Sequence, residues 1–247
     1  MPRPYELKQS DRSDKTELRR WAFNFWRQET VLDLYAGAGT LSCLYADKCE
    51  RLFCVEKDRE VYERLKHNLS SFDNVFLYNC DNLDFLEDLE EENISYVDFD
   101  AYGCPNYAIK KFFEKHPVER AIMVNATDGT LLNLSRLANM DLQKYYLIDL
   151  YPKGRLSRAD FDSKRRLRRV LPWLQESFIH LLAAKHGFNT HFLYHAMNRE
   201  ANVTYYGFIA YPECKVSLMW ATGKTPLVRF KKDAETWIKT MKKIVKD

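Results

Sequence analysis

The sequence predicts an α/β fold: a seven-stranded sheet, mostly parallel, flanked by helices and closed by an antiparallel hairpin. Three observations predict it. Apolar runs of strand length alternate with helical stretches at short intervals, which implies parallel strands joined by helical crossovers. The last two runs, "FNTHFLYHAM" and "VTYYGFIAYP", are separated only by "NREAN", a link too short for a parallel crossover. Three early strands end in an acid, Asp33, Glu56 and Asp81, at the strand tips where open α/β sheets bind ligands.

Each element follows in turn. "TVLDLYAG" reads as a buried strand running into an acid and then glycines, and "TLSCLYADKC" as a helix. "RLFCVEKD" is a second strand; "REVYERLKHNLSSF" carries Val61, Leu65 and Leu69 at helical spacing. "NVFLYNCD", "ISYVDFD" and "RAIMVNATDG" are strands three to five, with "NLDFLEDLEEE" and "NYAIKKFFEKH" as the helices between them. A long helix, "RRLRRVLPWLQESFIHLLAAKHGF", precedes the hairpin. Leu167, Leu171, Leu174, Phe178 and Leu181 form its core stripe, and Pro172 sits near its start or kinks it. Residues 1–28 are expected as an N-terminal arm, 29–212 as one domain and 213–247 as a C-terminal extension.

Composition narrows the function classes. Of 247 residues, 46% are hydrophobic and 30% charged, a soluble globular balance. No apolar run approaches the roughly 18 residues of a membrane span, and "MPRPYELKQSDRSDK" has no apolar signal-peptide core. The six Cys form no Cys-x-x-Cys pair and read as reduced thiols of a cytoplasmic protein. The six His are scattered, and no metal is expected. Net charge is only +3, yet Tyr151–Val170 and the tail from Arg229 are strongly basic. Such runs are either solvated faces or a surface for an anionic partner such as nucleic acid. The oligomeric state is left open.

The chemistry concentrates at the strand ends. "LDLYAGAGTLS" puts Asp33 on a strand and Gly37 and Gly39 in the turn after it. A dinucleotide fingerprint starting at Gly37 would need glycine at position 42, which is Ser42. Glycines let backbone approach a ligand without Cβ clashes. Glu56 can accept hydrogen bonds from both hydroxyls of a ribose, and Asp81 can receive one from a base amino group beside the Asn82 backbone N–H. Each acid alone could be a helix N-cap. Three acids at successive strand ends, 23 and 25 residues apart, form a set.

Residues 31–100 resemble the Rossmann-like, S-adenosylmethionine (SAM)-dependent methyltransferases. The resemblance implies SAM as cofactor, its ammonium group helped by Asp33, with Tyr35, Ala36, Gly37, Gly39, Glu56, Lys57, Asp81 and Asn82 around it. "VDFDAYGCPN", Val97 to Asn106, is most similar to the Asp-x-Asp-Pro-Phe-Gly-Ser-Pro pattern of tRNA guanine N2-dimethyltransferases. "VNATDGTLLNL", Val124 to Leu134, is similar to their Thr-Ala-Thr-Asp segment. The likeness covers roughly residues 30 to 212. This chain departs from it with Ala101 in place of Pro and Cys104 in place of Ser. It also departs after Pro212, where the family adds a further tRNA-holding domain.

The resemblance implies an N-methyltransferase acting on an exocyclic base amine of RNA, guanine N2 of tRNA first. Asp100 and the Ala101 carbonyl would accept the amine N–H groups, and Asp100 would take the released proton. Tyr102 would stack on an extruded base. Asp98 positions the cofactor or loop, or caps a turn; Asp128 lines the substrate pocket or caps a turn. Arg12 reaches the cofactor or is simply exposed. Arg155, Arg158, Lys164, Arg165, Arg166 and Arg169 are expected to track phosphate, or else to pair with nearby acids. Cys104 is read as a packing residue. Two alternatives stand beside this: an adenine N6- or cytosine N4-methyltransferase of DNA or ribosomal RNA, and a non-catalytic module that binds RNA or protein.

Overall fold

The computed structural model describes residues 12–26, 29–91, 93–136, 145–146, 164–198 and 201–212. Its elements are α1 (Arg12–Phe25), β1 (Thr30–Asp33), α2 (Ser42–Ala46), β2 (Arg51–Val55), α3 (Arg59–Asn68), β3 (Val75–Tyr78), α4 (Asn82–Asp88), β4 (Ile94–Asp100), α5 (Asn106–Lys115), β5 (Ile122–Asp128), α6 (Thr130–Arg136), α7 (Lys164–His186), β6 (Phe188–Asn198) and β7 (Val203–Pro212). Arg155, Arg158 and the expected extension at 213–247 lie outside the described residues, as do the side chains of Arg12, Lys164, Arg165 and Arg166.

The strands form one sheet in the order β3-β2-β1-β4-β5-β7-β6. β1 to β5 are parallel, and β7 runs antiparallel to both β5 and β6. The expected parallel units and terminal hairpin are therefore present. β4 and β5 are buried almost throughout, which is why they read as continuous apolar runs rather than alternating ones. Side chains alternate between the two sheet faces. Leu32, Val97, Phe99, Val124 and Phe208 face the layer of α4, α5 and α7. Val31, Leu52, Cys54, Tyr96 and Met123 face the layer of α1, α2 and α3.

Two features differ from the sequence expectation. The segment ahead of residue 29, expected as an arm, contains α1, which packs on the sheet through Ala22 and Phe23, both fully buried. α1 runs antiparallel to β4: Trp26 donates to the Ser95 carbonyl (2.8 Å), Arg19 meets Asp98, and Lys15 meets Asp100. On α7 the buried stripe is Leu167, Leu171, Leu174, Phe178 and Leu182. Leu182 takes the place expected of Leu181, which is only partly buried. Leu182 is buried beside Ile179 and Ala183, on the flank of the stripe that meets the sheet. Pro172 lies inside this helix.

β6 carries a register shift between Phe192 and Tyr194. The extra residue puts Leu193 and Tyr194 into the same core layer, as a bulge does. The Tyr194 hydroxyl is thereby aimed at α1, where Arg19 donates to it.

Candidate active site at the strand ends

The loop after β1 is shaped by its glycines. Gly37 and Gly39 both have positive φ, 57° and 87°, a conformation that L side chains rarely adopt. At Gly39 a Cβ would also stand 2.9 Å from the Leu65 side chain of α3, so the loop sits hard against that helix. The Ala36 N–H donates to the Val55 carbonyl (3.0 Å) and the Gly37 N–H to Glu56 Oε2 (3.0 Å). Glu56 Oε1 accepts from the Asp58 N–H at 2.8 Å. One carboxylate at the end of β2 thus ties together the β1 and β2 loops.

Asp33 lies beneath this loop. It is 1% exposed, and its Oδ2 accepts from the Ser42 hydroxyl at 2.7 Å. The Tyr35 amide favours its charged form, but no donor among the described residues meets Oδ1 with hydrogen-bond geometry. Burial, with the Asp98 charge behind it, pushes the carboxyl up to about 8. A buried acid with an unmet oxygen is costly unless a cation or donor arrives.

At the third strand end Asp81 caps α4, accepting from the Leu83 N–H at 2.9 Å, while Lys57 stands 3.7 Å from its other oxygen. Asn82 reaches the Tyr35 hydroxyl, whose pKa burial pushes up to about 12. The sequence-predicted set of Asp33, Tyr35, Ala36, Gly37, Gly39, Glu56, Lys57, Asp81 and Asn82 is therefore gathered at the tips of β1, β2 and β3.

β4 and β5 supply a second group. Asp100 is partly buried and held on both oxygens: Thr127 donates to Oδ1 and Lys15 to Oδ2, each at 2.6 Å. Burial pushes this carboxyl up, but Lys15 and Arg19 outweigh burial and hold it below the ordinary carboxylate value. Tyr102, two residues on, is 51% exposed. Ala101 between them is buried, and its N–H turns back to the Phe99 carbonyl (2.8 Å). The loop is braced from below at Gly129, whose N–H donates to the Gly103 carbonyl (2.9 Å). A Cβ at Gly129 would lie 2.7 Å from the Tyr102 carbonyl oxygen, so only glycine permits this approach.

Asp98 is placed differently from its expected role at the cofactor. It is fully buried. Arg19 grips both its oxygens (3.1 Å each), and the Tyr45 hydroxyl donates to Oδ2 at 2.6 Å. Burial works against the Arg19 charge, but Asp98, with Tyr194 and Asp100 behind it, outweighs burial and keeps the guanidinium protonated. Arg19 also donates to Thr127 Oγ1 at 3.0 Å, which links the buried pair to Asp100. Asp128 is also turned inward. It accepts from the Thr130 N–H, the Tyr146 hydroxyl and the Gln175 amide, the pattern of a turn cap within a buried network. Burial, with Asp128 next, raises the Cys104 thiol well above its ordinary value, in keeping with packing.

Lys15, Arg19, Tyr45, Thr127 and Tyr194 were not singled out in the sequence. One signal was present. Lys15 and Arg19 fall on the same helical stripe as Ala22 and Trp26, where a cation in an apolar face requires a buried partner. Of the basic segment, Arg169 is exposed on α7. Its neighbour Arg168 donates to Asn202 in the β6–β7 turn. That turn lies at the carboxyl end of β5, since Asp128 pairs with Thr204. The start of α7 is therefore on the same end of the sheet as Asp100.

The strand order, with β7 inserted antiparallel between β5 and β6, decides the architecture. This is the class I methyltransferase fold. The family profile of conserved hypothetical protein 95 matches residues 8–116, from α1 through α5. Trm1 from Pyrococcus horikoshii, solved as a complex with S-adenosyl-L-methionine, shares the fold at a TM-score of 0.60 and 13% identity. The match covers 80% of this chain and 53% of that one, so this chain spans about half the length of that protein. M. jannaschii TYW2, solved in complex with AdoMet, matches at a TM-score of 0.50 and 14% identity, over 80% of this chain and 75% of that one. No curated protein matches the sequence. Among the described residues no helix is long and apolar enough to cross a membrane.

Proposed function

We propose that this chain is a SAM-dependent N-methyltransferase that modifies an exocyclic base amine of RNA, with guanine N2 of tRNA as the first candidate. The observation that carries the reading is Asp100: a carboxylate held ionised at the end of β4, beside an exposed Tyr102. The solved structures of Trm1 and TYW2 with their cofactor support it at the level of fold.

The residues present fit SAM. Asp33 Oδ1 is a buried oxygen in need of a donor, which suits the ammonium of the methionine end. A Cβ at Gly37 would meet nothing within 4 Å, so the loop leaves open space above it. Glu56 would hold the ribose hydroxyls and Asp81 with Asn82 the adenine, while Asp98, paired with Arg19, seats α1 on the sheet beside the site. When bound, SAM supplies an electrophilic methyl on a sulfonium sulfur, which keeps the electron pair as the methyl leaves.

The chain's own residues do the rest. A base amine is a weak nucleophile because its lone pair is delocalised into the ring. Asp100 accepts one of its N–H groups and the Ala101 carbonyl the other, which favours a pyramidal nitrogen. As the nitrogen's lone pair forms the new C–N bond, one proton must leave, and Asp100 takes it. A low pKa does not prevent this, since the methylated ammonium of a base amine is itself a strong acid. Tyr102 offers a face for stacking, worth about 1–3 kcal/mol per base. Arg169 and the basic segment before it add phosphate contacts, which give affinity without sequence information. Residues 29–212, with α1 packed on their sheet, would form the transferase domain, working in the reducing cytoplasm with its thiols free.

The test is incubation with labelled SAM and separate pools of tRNA, ribosomal RNA and DNA, followed by mass spectrometry of the nucleosides. Methylated guanine N2 in tRNA is expected, with loss of transfer in Asp100→Asn and unaltered binding of S-adenosylhomocysteine. N6-methyladenine or N4-methylcytosine would move the reading to another base amine. RNA binding without any methylated nucleoside would replace it with a non-catalytic module.

A further inference from the structure

We infer that Lys15 on α1 is a positioning residue for Asp100: it fixes the carboxylate's orientation and keeps it ionised, which makes α1 a working part of the active site. The inference rests on the methyl-transfer reading and names a group that reading does not require.

The geometry is a fixed frame with two supports. Lys15 Nζ lies 2.6 Å from Asp100 Oδ2, and Thr127 Oγ1 lies 2.6 Å from Oδ1. With both oxygens engaged, the carboxylate cannot rotate freely. Each oxygen still has a second lone-pair direction for an incoming N–H. Thr127 is oriented in turn, because Arg19 Nη2 donates to its hydroxyl oxygen at 3.0 Å. Its own proton is thereby left for Asp100. Both supports come from α1, one directly and one through β5.

The charges around Asp100 show why a cation is needed there. Asp98 on its own strand and Asp33 on β1 couple to it, Tyr194 on β6 faces it, and Lys15 and Arg19 on α1 oppose them. Burial favours a protonated Asp100, and the Lys15 charge is the largest influence against it. Arg19 is already committed to Asp98 through both of that residue's oxygens. Lys15 is the cation that touches Asp100 itself. Without it the Asp100 midpoint would move up, and a protonated Asp100 would lack the acceptor that the amine needs.

Lys15 is 21% exposed and Asp100 16% exposed, so replacing Lys15 should leave the fold standing. Lys15→Met is the main variant and Lys15→Gln a second in case the first is poorly soluble. Asp carboxyl ¹³C resonances are followed against pH in the full chain, with Asp100 assigned from Asp100→Asn. In both variants the Asp100 midpoint should rise by about 1–3 pH units, the usual effect of a cation at this range. The acidic limb of methyl transfer should rise with it. The loss should fall on kcat, with S-adenosylhomocysteine affinity unchanged and Lys15→Arg restoring wild-type behaviour. An unmoved Asp100 titration would overturn the inference. So would a Lys15→Met enzyme faster than wild type, since Lys15 would then be a plug occupying the amine's place. A wild type that binds no S-adenosylhomocysteine and methylates nothing would strike down the methyl-transfer reading instead, and the titration still decides whether Lys15 holds Asp100.

Discussion

Replacing Arg19 with Met tests what joins α1 to the sheet. Arg19 is fully buried and donates to Asp98, Thr127 and Tyr194. Met replaces the apolar stem as far as Nε but supplies no charge, so among the described residues Asp98 is left buried with the Tyr45 hydroxyl (2.6 Å) as its remaining partner. Breaking a buried pair in this way costs about 3–5 kcal/mol. At 2–4 °C per kcal/mol for a domain of this size, the melting temperature should fall by about 6–20 °C. The loss should also depend on pH, with a definite sign. Burial raises Asp98 above its ordinary value even with Arg19 present, and removing the guanidinium raises it further. A carboxyl with a raised folded pKa adds no penalty below its unfolded value of about 3.9, where both states are protonated. The penalty grows as pH climbs from there to the folded pKa. The gap between wild type and Arg19→Met should therefore be widest near pH 7 and shrink toward pH 4. Urea titrations at several pH values measure it, and an added Asp98→Asn should recover part of the loss. A gap below about 1 kcal/mol, or one that ignores pH, would refute the claim that a charged pair seats α1.

The glycine loop and its acids yield further expectations. Asp33 sits at about 8, so the apo protein should lose stability as pH rises from about 4 toward 8, by the same sign argument. Asp33→Asn should flatten that slope in thermal melts and still weaken S-adenosylhomocysteine by roughly tenfold in calorimetry, about 1.4 kcal/mol. Gly39→Ala meets both a φ of 87° and a 2.9 Å approach to Leu65. It should cost about 1–3 kcal/mol in a denaturant melt and weaken the same ligand; an unchanged midpoint would show that the loop relaxes freely.

Much of the fold was legible because its signals are local. β4, buried from Ile94 to Phe99, can only read as an apolar run, and a five-residue link can only join antiparallel neighbours. The strand-end acids were legible for a related reason, since charge at the tip of a buried strand calls for an explanation. Contacts between residues distant in the chain were not. Arg19 and Asp98 are separated by 79 positions, and nothing beside Arg19 names its partner. The α7 stripe went astray at Leu181 because both it and Leu182 are leucines. Hydropathy cannot choose between them, and the helical period places both about equally far from the centre line of the stripe.

The difference between Asp98 and Asp100 shows how more could have been read. Tyr96, Asp98 and Asp100 alternate with Val97 and Phe99, so both acids point to the same side of β4 as Tyr96, toward α1 and α2. Whatever covers that side must bring positive charge to two points about 6.6 Å apart, the rise of two strand residues. On a helix the matching step is four residues, about 6 Å. α1 has that step in Lys15 and Arg19, on the stripe of Ala22 and Trp26, which packs against β4. Because the helix runs antiparallel to the strand, Arg19 meets the deeper acid and Lys15 the one at the tip. The shared repeat distance makes one acid structural and leaves the other at the surface, ionised and partly accessible, where a reaction can use it.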